Sequence, residues 1–248
     1  MELELAGKSA LVTGAGAVGG IGAEIARALA REGVSVVVSG RDVPRGEAVV
    51  KEILAEGGSV RFVPADLRDV NDVGRLADEA GPVDVLVNNA AALTMGPMVD
   101  QGLAAYEESF AVNVRAPYFL TAALAPAMLA KGEGSVINIS SLAAKIAMPG
   151  MSVYGATKSA LEGLTRSWAA EFADTGVRVN ALGLGTVDSE KASSVLGEAV
   201  FEQLRLATPN RRIGTATEIA QAVLFLASPR SSFVTGATIA IDGGRTIV

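Results

Sequence analysis

The stretch that decides the fold is Thr13-Gly14-Ala15-Gly16-Ala17-Val18-Gly19-Gly20-Ile21-Gly22. It follows Ser9–Thr13, an apolar run of strand length. It leads at once into Ile21–Arg31, where Ile21, Ile25, Ala28 and Leu29 recur at the spacing of one helix face. A strand, a glycine-rich turn and a helix in immediate succession form the context in which a chain cradles a pyrophosphate. Glycine permits the tight turn and a close approach of backbone to the anion, and the helix N-terminus offers unpaired N–H groups and a positive dipole end. The spacing admits two registers. Gly14, Gly16 and Gly19 match G-x-G-x-x-G, whereas Gly20-Ile21-Gly22 reads as the end of a T-G-x-x-x-G-x-G turn lengthened by two residues. Gly14, Gly16, Gly20 and Ile21 are the candidate phosphate contacts, and which of their N–H groups meet phosphate depends on the register.

Outward from this turn, short Val-rich runs alternate with amphipathic stretches. The pattern predicts strands at Val34–Ser39, Ser59–Pro64, Val83–Val87, Ser135–Ser140, Val177–Leu182 and Ala237–Ile241. It predicts helices at Glu47–Ala55, Val70–Glu79, Leu103–Lys131, Ser152–Asp174 and Ala216–Ala227, with two short helices between Ser189 and Thr208. Strands apolar on both faces belong in a parallel sheet covered by helices on each side. The expected fold is one doubly wound α/β domain over residues 1–248, of the Rossmann type. Its seven strands run in the order 3-2-1-4-5-6-7, with ligands at their carboxyl ends. Residues 186–212 are expected to form a substrate lid.

Composition narrows the chemistry. Among 248 residues, half are apolar and 19% charged, with a net charge of -6. Lys and Arg are scattered, which argues against a nucleic-acid partner. There is no Cys and no His, so thiolate chemistry, Ser-His-Asp hydrolysis and most transition-metal sites are excluded, and no metal is expected. The first residues carry two Glu and no Lys or Arg, unlike a secretion signal. No apolar run reaches the roughly 20 residues of a membrane span. A cytoplasmic protein with no membrane partner is the expectation.

Any proton transfer must therefore use Tyr, Lys, Asp, Glu or water. Tyr154 and Lys158 stand four apart at the start of a predicted helix, hence on one face. A phenol has an unperturbed pKa of about 10. A neighbouring ammonium favours phenolate and makes it a usable acid–base. Ser141, just after the fifth strand, can hold a substrate oxygen as charge develops on it, although Ser140 is the alternative and a serine there can also cap a helix. Asn113 is followed four residues later by Pro117, which has no N–H for the Asn113 carbonyl and is expected to kink the helix there.

Thr13-Gly14…Gly20-Ile21-Gly22, Asp66-Leu67, Asn88-Asn89-Ala90, Asn113, Ile139-Ser140-Ser141, Tyr154-x-x-x-Lys158, Arg178-Val179-Asn180 and Asp242-Gly243-Gly244 occur in order along essentially the whole chain. Together they resemble the short-chain dehydrogenase/reductase family. The resemblance implies hydride exchange between a nicotinamide cofactor and a carbonyl or alcohol carbon of a small molecule. It casts Tyr154 as acid–base and Ser141 as the group that polarises substrate. Lys158 would bind the nicotinamide ribose, and the Asn113 carbonyl would hold a water in a proton relay. It further implies that Asp66 and Leu67 flank the adenine, and that Asn89 and Ala90 line the adenosine side. Gly185, Val187 and Ser189 would contact the nicotinamide end. Ala91 stands where the family usually has Gly, and Leu184-Gly185 where it commonly has Pro-Gly.

The second strand ends at Ser39-Gly40-Arg41-Asp42. An acidic residue at this strand end selects NAD through the ribose 2′-OH. Gly40 has no side chain to repel a 2′-phosphate, and Arg41 could grip one. Asp42 could oppose that, by pointing at the ribose or pairing with Arg41. NADP(H) is favoured over NAD(H). The long helices bearing Asn113 and Tyr154 are rich in small and apolar residues on more than one face, and the family pairs such helices, so a homotetramer is expected with a dimer as fallback. The rival readings are an NAD(H)-preferring dehydrogenase of the same family, a non-catalytic nucleotide-binding regulator, and a lyase or epimerase using the cofactor transiently.

Overall fold

Ala10 and Val12 turn to one side of the first strand and Leu11 to the other, and all three are fully buried. This alternation, repeated on each central strand, requires a covering layer on both faces. The computed structural model describes residues 3–188 and 190–248, the stretch 190–198 by its backbone only. In chain order the elements begin β1 (Ser9–Thr13), α1 (Ile21–Arg31), β2 (Ser35–Gly40), α2 (Val43–Ala55), β3 (Ser59–Pro64), α3 (Val70–Ala80), β4 (Val85–Asn88) and α4 (Leu103–Phe110). A π-helical turn (Ala111–Arg115), α5 (Ala116–Lys131), β5 (Gly134–Ser141), α6 (Ser152–Glu171) and β6 (Val177–Leu184) follow. Then come β7 (Val187–Asp188), α7 (Glu190–Ala207), β8 (Gly214–Thr215), α8 (Ala216–Ala227) and β9 (Thr238–Ile241).

Seven strands form one sheet in the order β3-β2-β1-β4-β5-β6-β9, all parallel, the expected topology. One face is covered by α1, α2 and α8, through Ile25, Leu29, Val49, Ile53, Ile219 and Val223. The other is covered by α3, α5 and α6, through Leu76, Leu120, Leu124, Met128 and Trp168. Among the described residues, no helix is long and apolar enough to cross a membrane.

Three local features depart from the sequence expectation. The segment 190–207 is a single helix, α7, and not two short ones; β7 and β8, on either side of it, pair as a short parallel ladder. The second helix starts four residues before Glu47, because the Asp42 carboxylate accepts the Arg45 N–H at 3.0 Å and Pro44 sits in the first turn, where its missing N–H costs nothing. Leu103–Lys131 is indeed one helical rod, but it accommodates Pro117 by widening. The Ala116 N–H bonds the Ala111 carbonyl, five residues back, over the turn that contains Asn113. Since Pro117 cannot supply the i+4 bond to Asn113, the backbone pairs one residue further along just before it.

Candidate active site

The strand order reverses direction on either side of β1, and a cleft of about 800 Å³ opens over the carboxyl ends of β1, β2 and β4. Of the predicted cofactor contacts, Gly14, Gly20, Ile21, Arg41, Asp66, Leu67, Asn89 and Ala90 line it. The volume suits a dinucleotide-sized ligand, at the upper end of the ~300–1,000 Å³ usual for such sites. Its floor is built by close backbone approach. Gly14 has φ +65°, and a Cβ there would stand 2.6 Å from the Ala90 Cα; at Gly22 it would meet the Asn89 Nδ2 at 2.5 Å. Asn89 Nδ2 donates to the carbonyls of Thr13 (2.8 Å) and Gly14 (3.1 Å). Thr13 Oγ1 accepts the N–H groups of Asn89 and Ala90, both at 3.1 Å. The glycine turn and the Asn88-Asn89-Ala90 turn are thus locked together.

The geometry of the turn matches the lengthened register. The Gly20 N–H closes a turn on the Ala17 carbonyl (3.1 Å), and Ala17 and Val18 line the cleft. Gly16 does not line it, but packs against Gly40 and Phe62. Gly20 is the N-cap of helix α1 and leaves its first N–H groups without a side-chain cap, an arrangement suited to an anion.

At the far end of the cleft, Asp66 accepts from Arg68 Nε at 2.9 Å and from the Arg68 N–H at 3.0 Å. The Arg68 guanidinium holds its carboxyl below the usual range. Arg41 is joined there by Arg45, which the sequence reading missed. Asp42 is occupied as the N-cap of α2, and neither guanidinium has a salt-bridge partner among the described residues. Arg45 also sits in the first turn of a helix that has no acidic residue there, where a cation is disfavoured until an anion joins it. A basic residue three positions after a helix N-cap at this strand end is the signal that could have found it.

The catalytic candidates gather at the carboxyl end of β5 and the start of α6. Ser141 is partly accessible; its Oγ accepts the Ala143 N–H (3.2 Å), and its hydroxyl is turned to the Tyr154 phenol, so a ligand oxygen placed between the two would meet both. Ser140 is buried and donates to Glu162 Oε1 at 2.9 Å, so of the two serines Ser141 is the one open to a ligand. Lys158 is 1% exposed. Its Nζ donates to the Ile139 carbonyl at 2.7 Å and lies 5.7 Å from the centre of the Tyr154 ring. Burial draws this ammonium down to about 8. Burial also pushes the Tyr154 phenol up, against the Ser141 hydroxyl. Desolvation outweighs the Ser141 hydrogen bond, no lowering by the Lys158 ammonium is seen in the free chain, and the phenol stays protonated at neutral pH.

Asn113 enters through its side chain. Its Oδ1 accepts the Ala92 N–H (2.8 Å), and its Nδ2 donates to the Ala92 carbonyl (2.9 Å) and to Thr157 Oγ1 (3.0 Å). Thr157 Oγ1 in turn donates to the Tyr154 carbonyl at 2.7 Å. Gln101, also missed, staples the two loops that flank the catalytic residues: its Nε2 reaches the carbonyls of Gly96 (2.7 Å) and Gly150 (3.3 Å). At the end of β6, the Gly185 N–H bonds the Ile241 carbonyl (3.0 Å), and Val187 is buried in the β7–β8 ladder. Ser189 lies outside the described residues.

A family model described as enoyl-(acyl carrier protein) reductase matches residues 14–246. The 2-keto-3-deoxy-L-fuconate dehydrogenase of Xanthomonas campestris pv. campestris is 39% identical over 97% of this chain and 80% of its own. A solved short chain dehydrogenase/reductase family protein is 50% identical over the whole of both chains, with a TM-score of 0.92. A gluconate 5-dehydrogenase from Burkholderia cenocepacia, solved with NADP and tartrate, is 32% identical over 100% of this chain and 98% of its own, with a TM-score of 0.92. With the parallel sheet, the dinucleotide-sized cleft and the Ser-Tyr-Lys cluster beside it, these matches establish that the chain belongs to the short-chain dehydrogenase/reductase family and is an oxidoreductase that exchanges a hydride between a nicotinamide cofactor and a carbonyl or alcohol carbon of a small molecule.

Proposed function

We propose that the protein is a cytoplasmic, homotetrameric, NADP(H)-preferring ketone reductase or secondary-alcohol dehydrogenase in which Tyr154 is the acid–base. The observation that carries the reading is the convergence of the Ser141 hydroxyl and the Tyr154 phenol beside a buried ammonium. When bound, the nicotinamide supplies or accepts the hydride. In reduction, Ser141 donates a hydrogen bond to the substrate carbonyl oxygen. Tyr154, kept protonated by its burial, gives that oxygen its proton as the hydride reaches the carbon. Lys158 keeps a positive charge beside the phenolate left behind and reaches the nicotinamide ribose, and the Asn113 carbonyl holds the water through which Tyr154 is reprotonated. Gly14, Gly20 and Ile21 take the pyrophosphate, Asp66, Leu67, Asn89 and Ala90 the adenosine, and Gly185, Val187 and Ser189 the nicotinamide end. Arg41 and Arg45, which line the cleft wall and form no salt bridge among the described residues, take the 2′-phosphate, and the NADP in the gluconate dehydrogenase of similar fold supports that choice.

The test is turnover of a panel of ketones with NADPH and with NADH, in wild type and Tyr154→Phe. The panel holds sugar-acid ketones, a steroid ketone and a β-ketoacyl thioester. Wild type should reduce at least one of them, faster with NADPH. Tyr154→Phe should bind the cofactor normally and lose about 10²-fold or more in kcat, the scale of a lost general acid. A wild type that binds NADPH and reduces no ketone would point to a regulator instead, and Tyr154→Phe with wild-type turnover would remove Tyr154 from its role.

A further inference from the structure

We propose that Glu162 is the positioning residue of this site, holding Ser141 in place by gripping the chain on both sides of it. The inference rests on the reading of Ser141 as the group that holds the substrate oxygen. Glu162 lies on α6 four residues after Lys158 and eight after Tyr154, on the helix face that meets β5. Its side chain is 3% exposed. One carboxylate oxygen accepts from Ser140 Oγ at 2.9 Å, and the other meets Lys145 Nζ at 2.8 Å. Ser140 precedes Ser141 in β5, and Lys145 closes the 3₁₀ turn Leu142–Ala144 that follows it. Ser141 is thus bracketed by two contacts to one buried anion, while its own Oγ has the 3.2 Å bond from the Ala143 N–H and the contact with the Tyr154 phenol.

Docking the helix on the sheet does not call for a charge here. One turn further along, α6 is pinned to β5 by neutral groups, Asn138 Nδ2 donating to Thr165 Oγ1 at 2.9 Å. A carboxylate taken out of water is costly unless it is paired and hydrogen-bonded. What the charge adds is reach, since it draws the half-exposed Lys145, and with it the loop from Ser141 towards Tyr154, onto the catalytic helix.

Glu162→Gln keeps the shape and an acceptor for Ser140 but drops the charge facing Lys145. Lys145→Met removes the other end of the bridge at a half-exposed position that does not decide folding, and Lys145→Arg preserves it. The readouts are amide hydrogen exchange over residues 141–151, the Kd for NADPH, and kcat and KM with the panel ketone that wild type reduces fastest. Glu162→Gln and Lys145→Met should quicken exchange in 141–151, leave the NADPH Kd unchanged and lower kcat roughly tenfold or more, as expected when a positioned group drifts by a fraction of an ångström to an ångström. The double variant should be no slower than the slower single one, and Lys145→Arg should restore kcat. Unchanged exchange in 141–151, wild-type kcat in Lys145→Met, or additive losses in the double variant overturns the inference. A wild type inactive on every ketone overturns the reading of Ser141 on which the inference rests, and is seen before any variant is compared.

Discussion

Lys158 is among the largest fully buried side chains in the chain, in the company of Leu11, Ile25, Leu86 and Ile137. Its Nζ has the Ile139 carbonyl as partner and no carboxylate within salt-bridge distance among the described residues. The folded protein therefore holds a lysine that titrates near 8 against 10.5 in the unfolded chain. Between those values the unfolded chain binds more protons, so stability rises with pH across this window, and below about 8 the fold carries the full cost of the buried ammonium. Lys158→Met should accordingly melt higher than wild type at pH 7, by ~2–4 °C for each kcal/mol relieved in a chain of this size, while losing turnover and cofactor affinity. The margin should narrow from pH 8 towards 10. Calorimetry of both proteins at pH 7 and 9.5 decides it: a variant no more stable at pH 7, or a margin that widens with pH, contradicts the cost assigned to Lys158. A residue proposed to serve the chemistry is then one that the fold would do better without.

At the scale of elements, the N-terminus of α2 shows how a capping choice shapes a ligand site. With Asp42 turned to the Arg45 N–H, neither guanidinium beside it forms a salt bridge among the described residues, and the Asp66 carboxylate that feels Arg41 is already held by Arg68, so each should count towards a 2′-phosphate. Arg41→Ala and Arg45→Ala should each lower the ratio of kcat/KM with NADPH to that with NADH by about 10- to 100-fold, the equivalent of a hydrogen bond to a charged group at ~1.5–3 kcal/mol. A ratio unmoved by either change would place the phosphate elsewhere. The sheet was legible because its central strands are buried on both sides and read as plain Val and Ile runs, and the glycine turn because strand and helix abut it. The start of α2 was not, since Val43-Pro44-Arg45-Gly46 looks like a breaker when its cap, Asp42, is weighed only as a charge. The split expected in α7 came from its mixed pattern of apolar and charged residues. Of the site, Tyr154, Lys158 and Ser141 were readable because their chemistry is carried by residue type and spacing. The side-chain role of Asn113 was hidden, as its partners Ala92 and Thr157 are 21 and 44 positions away.

For the molecule as a whole, two groups stand out among the exposed apolar side chains of the described residues. Leu103 and Tyr106 on α4 and Tyr118 and Phe119 on α5 form one; Phe233, fully exposed, with Ile247 and Val248 at the end of the chain, forms the other. A patch that pairs with its own copy generates a two-fold axis, and two such patches on one chain generate a closed assembly of four. Light scattering at micromolar concentration should give a tetramer, and Phe233→Asp should stop assembly at the dimer. A monomeric wild type, or a tetramer indifferent to Phe233→Asp, would show that these patches serve another purpose.

The amide of Asn113 closes on both backbone groups of Ala92, at the edge of the nucleotide cleft, and on Thr157, which holds the Tyr154 carbonyl. That makes it a strut between the cleft and the helix that carries Tyr154, and if the proposed cofactor and substrate sites lie at its two ends, thermodynamic linkage fixes what binding at one end does to the other. The factor by which a substrate analogue tightens NADP must equal the factor by which NADP tightens the analogue. Titrations run in both orders should show this cooperativity in wild type and its loss in Asn113→Ala, and equal affinities with and without the second ligand in wild type would deny the strut any such role. Whichever ligand arrives first then prepares the place of the other, and a single buried amide carries the bargain in both directions.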